Sequence, residues 1–232
     1  MVMRETYALL ISGNGQHFTD DIKNFQLFLL DELDFNPKKV RLLLGSNGNN
    51  YIFEQTESFF KDVKSDGTHD VVIAHRGHGG IGNFSPVDEV AFSRTREAIS
   101  YEEFGKLISH HGDFVFINDC CYSGSVIKPF KKIDLLPKNG LVLASARPDE
   151  YSLGGNYQNQ LVEAFRIRRE YRRRKPIEGE GDLEYMRPIV DPTCKKGEYV
   201  VGYRKVSKTI KIVQHPMRSG KTLDHLLFKD NK

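Results

Sequence analysis

The chain has 232 residues and a net charge of +3, and 39% of its residues are hydrophobic, including 15 Phe and 10 Tyr. This apolar content argues against wholesale disorder, and the small net charge does not by itself indicate a nucleic-acid-binding protein. No apolar run approaches the ~18 residues that a membrane span needs. Three cysteines, two of them adjacent and one distant at Cys194, form neither a disulfide framework nor a paired zinc motif, which favours a reducing, cytoplasmic setting.

Short apolar runs alternate with helical patterns along the chain. In chain order we predict a strand at 7–12, a helix at 20–33, a strand at 39–45, a helix at 51–64, a strand at 69–75, a helix at 100–111, strands at 113–119 and 140–146, and a helix at 159–174. Near-continuous apolar strands separated by helices predict an α/β fold, with a mostly parallel central sheet and helices on both of its faces.

The amino-acid composition changes after residue 175. Residues 175–188 are acidic and contain glycine, which is typical of a loop, and residues 198–216 read as two strands around a Lys-Val-Ser-Lys turn. We therefore predict a main domain at 1–175 and a C-terminal extension at 176–232, with a β-hairpin that packs on the same domain.

Two of the predicted strands end in glycine-containing turns that carry reactive side chains. The segment VVIAHRGHGG (71–80) has His78 on its turn, and FVFINDCCYSGS (114–125) has two cysteines directly after its strand. The carboxyl ends of parallel strands lie at one edge of a sheet, where binding and catalytic groups gather. We therefore expect His78 and Cys121 to lie close together.

A histidine beside a cysteine indicates nucleophilic catalysis. The thiolate is the nucleophile, and a nearby imidazole can accept its proton and later protonate a leaving amine. Strand alternation puts Cys120 and Cys121 on opposite sides, with Cys121 nearer the accessible turn. We predict that Cys121 is the nucleophile, that His78 is the base, and that Cys120 packs as a small hydrophobic residue. The backbone N–H groups of Gly79 and Cys121 are predicted to stabilise an oxyanion.

These motifs resemble those of the caspase-like cysteine peptidases. The segment HRGHGG is similar to the family's histidine-glycine motif, and DCCYSGS is similar to the Asp-Ser-Cys-His-Ser-Gly motif of the metacaspase branch. The second motif matches at Asp119, Cys121, Ser123 and Gly124 and departs at Cys120 and Tyr122. Cys121 follows His78 by 43 residues, close to the ~50 typical of caspases. The resemblance covers roughly residues 5–170 and implies a caspase-like sandwich and a cysteine endopeptidase that forms a thioacyl-enzyme.

The resemblance also implies a substrate pocket beside the nucleophile. Asp119 lies two residues before Cys121, and Asp149 follows the neighbouring strand, whose end carries Ser145. Carboxylates in a partly desolvated pocket favour Arg or Lys and disfavour Asp, because unpaired like charges there are costly. We therefore predict that these three residues bind the substrate and that cleavage follows Arg or Lys.

The segment between Cys121 and the next strand corresponds to a linker that is often cleaved in this family. Here it is short and we predict a loop, in which self-cleavage would follow one of four lysines: Lys128, Lys131, Lys132 or Lys138. No cofactor is required by this chemistry. Calcium, which some metacaspases bind, could be held by acidic pairs, of which the candidates are Asp20 with Asp21 and Asp88 with Glu89.

Two alternatives to a peptidase remain. The chain could keep a caspase-like fold and act as a catalytically inactive interaction module. It could also bind nucleic acid or another acidic partner through the run RIRREYRRRK (Arg166–Lys175), although such a run usually forms a solvated helix end. Labelling of Cys121 by a peptidyl electrophile separates the first alternative from an enzyme, and salt-dependent binding to nucleic acid would support the second.

Overall fold

The computed structural model describes residues 6–65, 69–80, 83–85, 99–108, 112–138, 140–152, 157–158, 161–162 and 217–220. Its strands are β1 (Thr6–Ser12), β2 (Val40–Leu44), β3 (Asp70–Arg76), β4 (His78–Gly80), β5 (Asn83–Ser85), β6 (Ile99–Ser100), β7 (Phe114–Asp119), β8 (Gly140–Ala144) and β9 (Met217–Gly220). Its α-helices are α1 (Gln16–Leu27), α2 (Asn49–Ser65), α3 (Tyr101–Ile108), α4 (Ile127–Lys132) and α5 (Leu135–Lys138).

Six strands form the central sheet, in the order β2-β1-β3-β7-β8-β9. Neighbours from β2 to β8 are parallel, and β9 pairs antiparallel with β8. Every residue of β1, β3 and β7 is buried, as expected for apolar strands covered on both faces. The predicted α/β fold with a mostly parallel sheet is therefore confirmed.

Helices cover both faces of this sheet. On one face α2 to α5 bury side chains such as Phe59, Phe104 and Phe130 against β1, β3, β7 and β8. On the other face α1 and the turn after it bury Phe25 and Phe28, and Tyr157 packs against the same cluster. Removing such a side chain from water contributes ~1.5–3 kcal/mol each. These two layers hold the carboxyl ends of the strands in fixed positions.

Sequence patterns account for two of the helices, although α1 begins at Gln16, before the predicted start at residue 20. α1 buries Phe18, Ile22 and Phe25, which recur at helical spacing on one face. At the start of α3 the Ser100 hydroxyl accepts a hydrogen bond from the Glu103 N–H at 3.1 Å and donates to the Glu103 carboxylate at 2.7 Å. This reciprocal pair caps the helix, as the sequence predicts.

The segment after Cys121 differs from the predicted loop. Residues Ser123–Val126 form a 3₁₀ turn, and α4 and α5 follow it. Ile127 and Phe130 lie three residues apart and are buried in the core together with Leu135 and Leu136. The loop prediction was wrong because it was based on the lysines, which lie on the exposed side, and overlooked the helical spacing of the apolar residues between them.

Part of the predicted C-terminal extension belongs to the central sheet, because β9 adds to its edge beside β8. The predicted hairpin at 198–216 and the basic run at 166–175 lie outside the described residues, as does most of the predicted helix at 159–174. The division at residue 175 stays a prediction. Among the described residues, no helix has both the length and the apolar composition to cross a membrane.

Candidate active site

Hydrogen bonds join the carboxyl ends of the central strands into one edge. The Gly13 N–H, after β1, donates to the carbonyl of Arg76 at the end of β3 at 2.7 Å. The Gly77 N–H, after β3, donates to the carbonyl of Asp119 at the end of β7 at 3.3 Å. The two glycine-flanked turns of the sequence therefore begin next to each other.

The turn with His78 packs directly on the turn with the two cysteines. A Cβ atom added to Gly79 would overlap the Cys120 sulfur and the Cys121 carbonyl oxygen, and would lie 3.0 Å from the Cys120 Cβ. Only glycine allows this approach, because any side chain would push the two turns apart. The two strand ends therefore lie in contact, as the sequence predicts.

The two cysteines have different surroundings. Cys120 is 1% exposed, and its Sγ lies 3.4 Å from Asn118 Oδ1 and 3.7 Å from the Tyr101 hydroxyl. Burial raises the pKa of the Cys120 thiol far above its usual range, so this sulfur stays protonated and inert. Cys121 is only half-buried, and its thiol is oriented towards the Ser152 carbonyl at 3.9 Å. Accessibility therefore favours Cys121 as the nucleophile.

His78 is the first residue of β4, and its ring is half-buried. The ring packs edge-on against Phe18, with 5.1 Å between centroids. This contact limits the rotation of the imidazole, as a positioned base requires. The pairing of β4 with β5 fixes the backbone on the other side of the turn.

A buried polar network lies beneath both turns. The His75 Nδ1 is 2.9 Å from Asn118 Oδ1, and Asn118 Nδ2 donates to the Tyr101 hydroxyl at 2.8 Å and to the Ser123 carbonyl at 3.2 Å. Burial raises the pKa of Tyr101, so its hydroxyl stays neutral. Hydrogen bonds in such a buried setting are stronger than they would be in water. The network connects β3, β7 and α3 under the candidate dyad.

A chain of hydroxyl groups leads from the cysteine turn to Asp119. Ser145, one of the predicted substrate-binding residues, is fully buried, and its Oγ is 3.2 Å from Ser123 Oγ. Ser145 Oγ donates to Ser152 Oγ at 3.1 Å, and Ser152 Oγ donates to Asp119 Oδ1 at 3.2 Å. The other Asp119 oxygen accepts from the Gln158 N–H at 3.4 Å. These bonds tie the residues after β8 to the end of β7.

Asp119 also pairs with a cation of the chain itself. The Arg76 Nε lies 3.7 Å from Asp119 Oδ2 and donates to Asp21 Oδ2 at 3.0 Å. The side chains of Arg76 and Asp119 are 2% and 1% exposed. The prediction of an acidic pocket assumed an Asp119 carboxylate free to receive a substrate, whereas this carboxylate is buried beside Arg76. Asp149 lies exposed in the turn after β8.

Tyr122, where the resembling motif has a histidine, has a left-handed backbone with a φ of 55°. Its ring packs on that of Tyr151, with 4.9 Å between centroids. The hydrogen bond with Tyr151 raises the pKa of Tyr122 to about 12. The Tyr122 N–H donates to the Glu150 carbonyl at 2.8 Å, so the turn that carries the nucleophile is hydrogen-bonded to the turn after β8.

The remaining predicted residues are spread over the surface. Lys128, Lys131 and Lys132 are exposed on α4, and the Lys138 side chain lies outside the described part of the chain. A helical segment must unwind before it can enter a protease as an extended chain, so the observed helices disfavour self-cleavage there, which stays a prediction.

The candidate calcium ligands fall in two places. Asp20 and Asp21 lie on α1, where Asp20 accepts from Gln16 Nε2 at 2.7 Å and Asp21 pairs with Arg76. Asp88 and Glu89 lie outside the described residues. Within the ranges that the structure describes, no group of three or more His, Cys, Asp or Glu side chains could hold a metal ion.

Two solved structures to which the chain is similar are both distant from it in sequence. No family model matches the chain, and no curated protein matches it. Among solved structures it is similar to Raptor from Chaetomium thermophilum, with a TM-score of 0.45 and 12% identity over 65% of this chain and 16% of that one. It is also similar to caspase-1 from Spodoptera frugiperda, with a TM-score of 0.44 and 13% identity over 70% of this chain and 68% of that one. Both TM-scores lie below 0.5.

The sequence analysis missed several residues of the site. Arg76 stands between two histidines in the motif HRGHGG, yet nothing in the motif shows that its side chain is buried. Asn118 directly precedes Asp119, and a polar residue inside an otherwise apolar strand was the available signal for it. Nothing in the sequence around Gln158 predicts that it hydrogen-bonds to Asp119 and to the His75 carbonyl.

Proposed function

We propose that the chain is a cysteine endopeptidase with His78 and Cys121 as its catalytic dyad. The observation that carries the proposal is the packing of Gly79 on Cys120 and Cys121, which supports a short path from the imidazole to the half-buried thiol. The motif resemblance to caspase-like peptidases of the metacaspase branch adds support. A cytoplasmic location belongs to the same proposal.

In the proposed reaction His78 takes the proton of the Cys121 thiol, and the thiolate attacks the scissile carbonyl carbon. The tetrahedral oxyanion is stabilised by the backbone N–H groups of Gly79 and Cys121. His78 then protonates the leaving amine as the C–N bond breaks, which leaves a thioester on Cys121. Water then hydrolyses the thioester, which releases the carboxylic acid product and regenerates the Cys121 thiol. No cofactor takes part in these steps.

The neighbouring residues would have supporting roles. The network of His75, Asn118 and Tyr101 would hold the two turns at a fixed separation, since it joins both strands below them. Cys120 would fill the space under Gly79 as an inert, protonated thiol. Cleavage after Arg or Lys stays a prediction, and the pairing of Asp119 with Arg76 bears on it directly.

The proposal is tested with an unbiased mixture of peptides from a digested proteome. Incubation with the full chain should create new peptide termini that are detected by mass spectrometry, and pretreatment with iodoacetamide should prevent them. The assay is run with and without calcium, because calcium dependence is part of the prediction. If no new termini form under either condition, the chain is an inactive caspase-like module and not a peptidase.

A further inference from the structure

A buried cluster of three charged side chains lies at the candidate site. Arg76, at the end of β3, is hydrogen-bonded through Nε to Asp21 of α1 at 3.0 Å and lies 3.7 Å from the Asp119 carboxylate. Its Nη1 donates to the Asp119 main-chain carbonyl at 3.3 Å. Asp21, at 15% side-chain exposure, is the most accessible of the three. The guanidinium therefore lies against both acids and is almost closed off from water.

The cluster is in contact with the proposed catalytic histidine through one ring. The Arg76 guanidinium carbon lies 4.8 Å from the centroid of Phe18, and the edge-on partner of Phe18 is His78. A cation over an aromatic face is stabilised there, more so when it is desolvated. Arg76 is thus held by two acids, a carbonyl and a ring. Its partner Asp119 is joined to the nucleophile through Ser152, whose carbonyl lies 3.9 Å from the Cys121 sulfur and whose hydroxyl donates to Asp119 at 3.2 Å.

From this geometry we infer that Arg76 takes the place of a basic substrate side chain. It neutralises Asp119, so the site selects an uncharged residue before the scissile bond over Arg or Lys. The inference rests on the proposed peptidase function and concerns the substrate class of that same site. It is the opposite of the sequence-based prediction of cleavage after Arg or Lys, which assumed an unpaired Asp119, and the comparison of substrates decides between the two.

Charge and hydrogen bonding both support this selectivity. A substrate guanidinium next to Arg76 would place two like charges in a desolvated setting, which is costly, and it could pair with Asp119 only by displacing Arg76. Each oxygen of the Asp119 carboxylate already accepts a hydrogen bond from the chain. Two buried atoms beside this cluster have no hydrogen-bond partner among the described residues: Arg76 Nη2, which is a donor, and Gln158 Oε1, which is an acceptor. The Arg76 Nη2 donor can be satisfied by the amide oxygen of a Gln side chain, whereas Arg and Lys side chains offer no acceptor.

The first test compares fluorogenic peptides that differ only in the residue before the scissile bond, with Gln, Leu, Arg and Lys as the four choices. For the unmodified chain, kcat/KM for Gln and Leu should exceed that for Arg and Lys. A higher kcat/KM for Arg or Lys than for both uncharged residues would overturn the inference.

The second test removes the internal cation. Arg76→Gln should raise the ratio of Arg to Gln substrate turnover at least tenfold, because the Asp119 and Asp21 carboxylates then lose the guanidinium that lies against both of them. Arg41→Gln is the matched control. Arg41 also pairs with an aspartate, Asp62, at 2.6 Å and lies over a phenylalanine ring, but it belongs to β2 and is 32% exposed. An unchanged ratio in folded Arg76→Gln would contradict the inference, as would an equal rise in Arg41→Gln.

A binding measurement separates failure of this inference from failure of the peptidase function. Benzamidine, a small amidinium probe, is titrated by calorimetry into Cys121→Ala and into Cys121→Ala with Arg76→Gln, after circular dichroism has shown that each is folded. We expect binding only in the second protein. Binding to Cys121→Ala alone would overturn the inference, even if Arg76→Gln does not fold. Absence of peptide cleavage together with the expected binding would instead refute the function and leave the role of Arg76 intact.

Discussion

Cys121→Ala should lower kcat/KM for peptide cleavage by at least about a thousandfold, since it removes the group that forms the thioester. Its melting temperature should stay close to that of the unmodified chain. Cys121 is only half-buried and Gly79 packs on its backbone carbonyl rather than on its side chain, so the loss of the sulfur leaves the contact between the two turns in place. Steady-state kinetics with thermal unfolding of both proteins measure the two effects.

Cys120→Ser is the matched control for that substitution. A serine hydroxyl can still bond to Asn118 and Tyr101, which surround the Cys120 sulfur, so most of the activity should remain. The pair of variants also tests which side of the strand each cysteine occupies. Loss of activity in Cys120→Ser together with full activity in Cys121→Ala would show that the two roles were assigned to the wrong residues.

His78→Ala should lower kcat by about 10²–10⁴-fold, the range that general acid–base catalysis contributes. The thiol of Cys121 would then lose its proton acceptor, and the leaving amine would lose its acid. The rate of Cys121 alkylation by iodoacetamide at neutral pH should fall in parallel, because the thiolate is no longer stabilised. Rapid-mixing kinetics for peptide turnover and mass spectrometry for alkylation give the two rates.

His17→Ala is the control for the histidine. His17 is an exposed residue whose ring also packs against Phe18, with 3.8 Å between centroids, so the substitution removes a second imidazole that contacts the same ring. We expect nearly unchanged turnover. Normal turnover by His78→Ala, or a loss confined to His17→Ala, would exclude His78 as the base.

The strand ends of the site follow from the sequence because their causes are local. Apolar runs at 69–75 and 113–119 predict buried strands in a covered sheet, and parallel strands bring their carboxyl ends to one edge. Alternation along the second strand separates Cys120 from Cys121, and the observed burial of the two agrees with that separation. Glycine at position 79 signals a close backbone approach, which the structure places against the cysteine turn.

The charge environment of the site does not follow from the sequence. In the sequence Arg76 stands beside a glycine at a strand end, where a charged residue is usually exposed. Its burial depends on Asp21, which lies 55 positions earlier and hydrogen-bonds to it from α1. An ion pair between residues so far apart in the chain forms only when the helix packs on the sheet. The same holds for Gln158, whose N–H reaches Asp119 and whose side-chain amide donates to the His75 carbonyl at 3.1 Å.

Covalent labelling with a peptidyl acyloxymethyl ketone tests the central claim most directly. The reagent is used as a mixture that carries different residues next to the reactive group, and the modified site is located by peptide mass mapping of the intact, folded chain. We predict one label per chain, on Cys121, with Cys120 unmodified and with labelling abolished by prior unfolding. A folded chain that takes up no label on Cys121, or that is labelled as readily on Cys120, would contradict the assignment of this site as a cysteine peptidase centre.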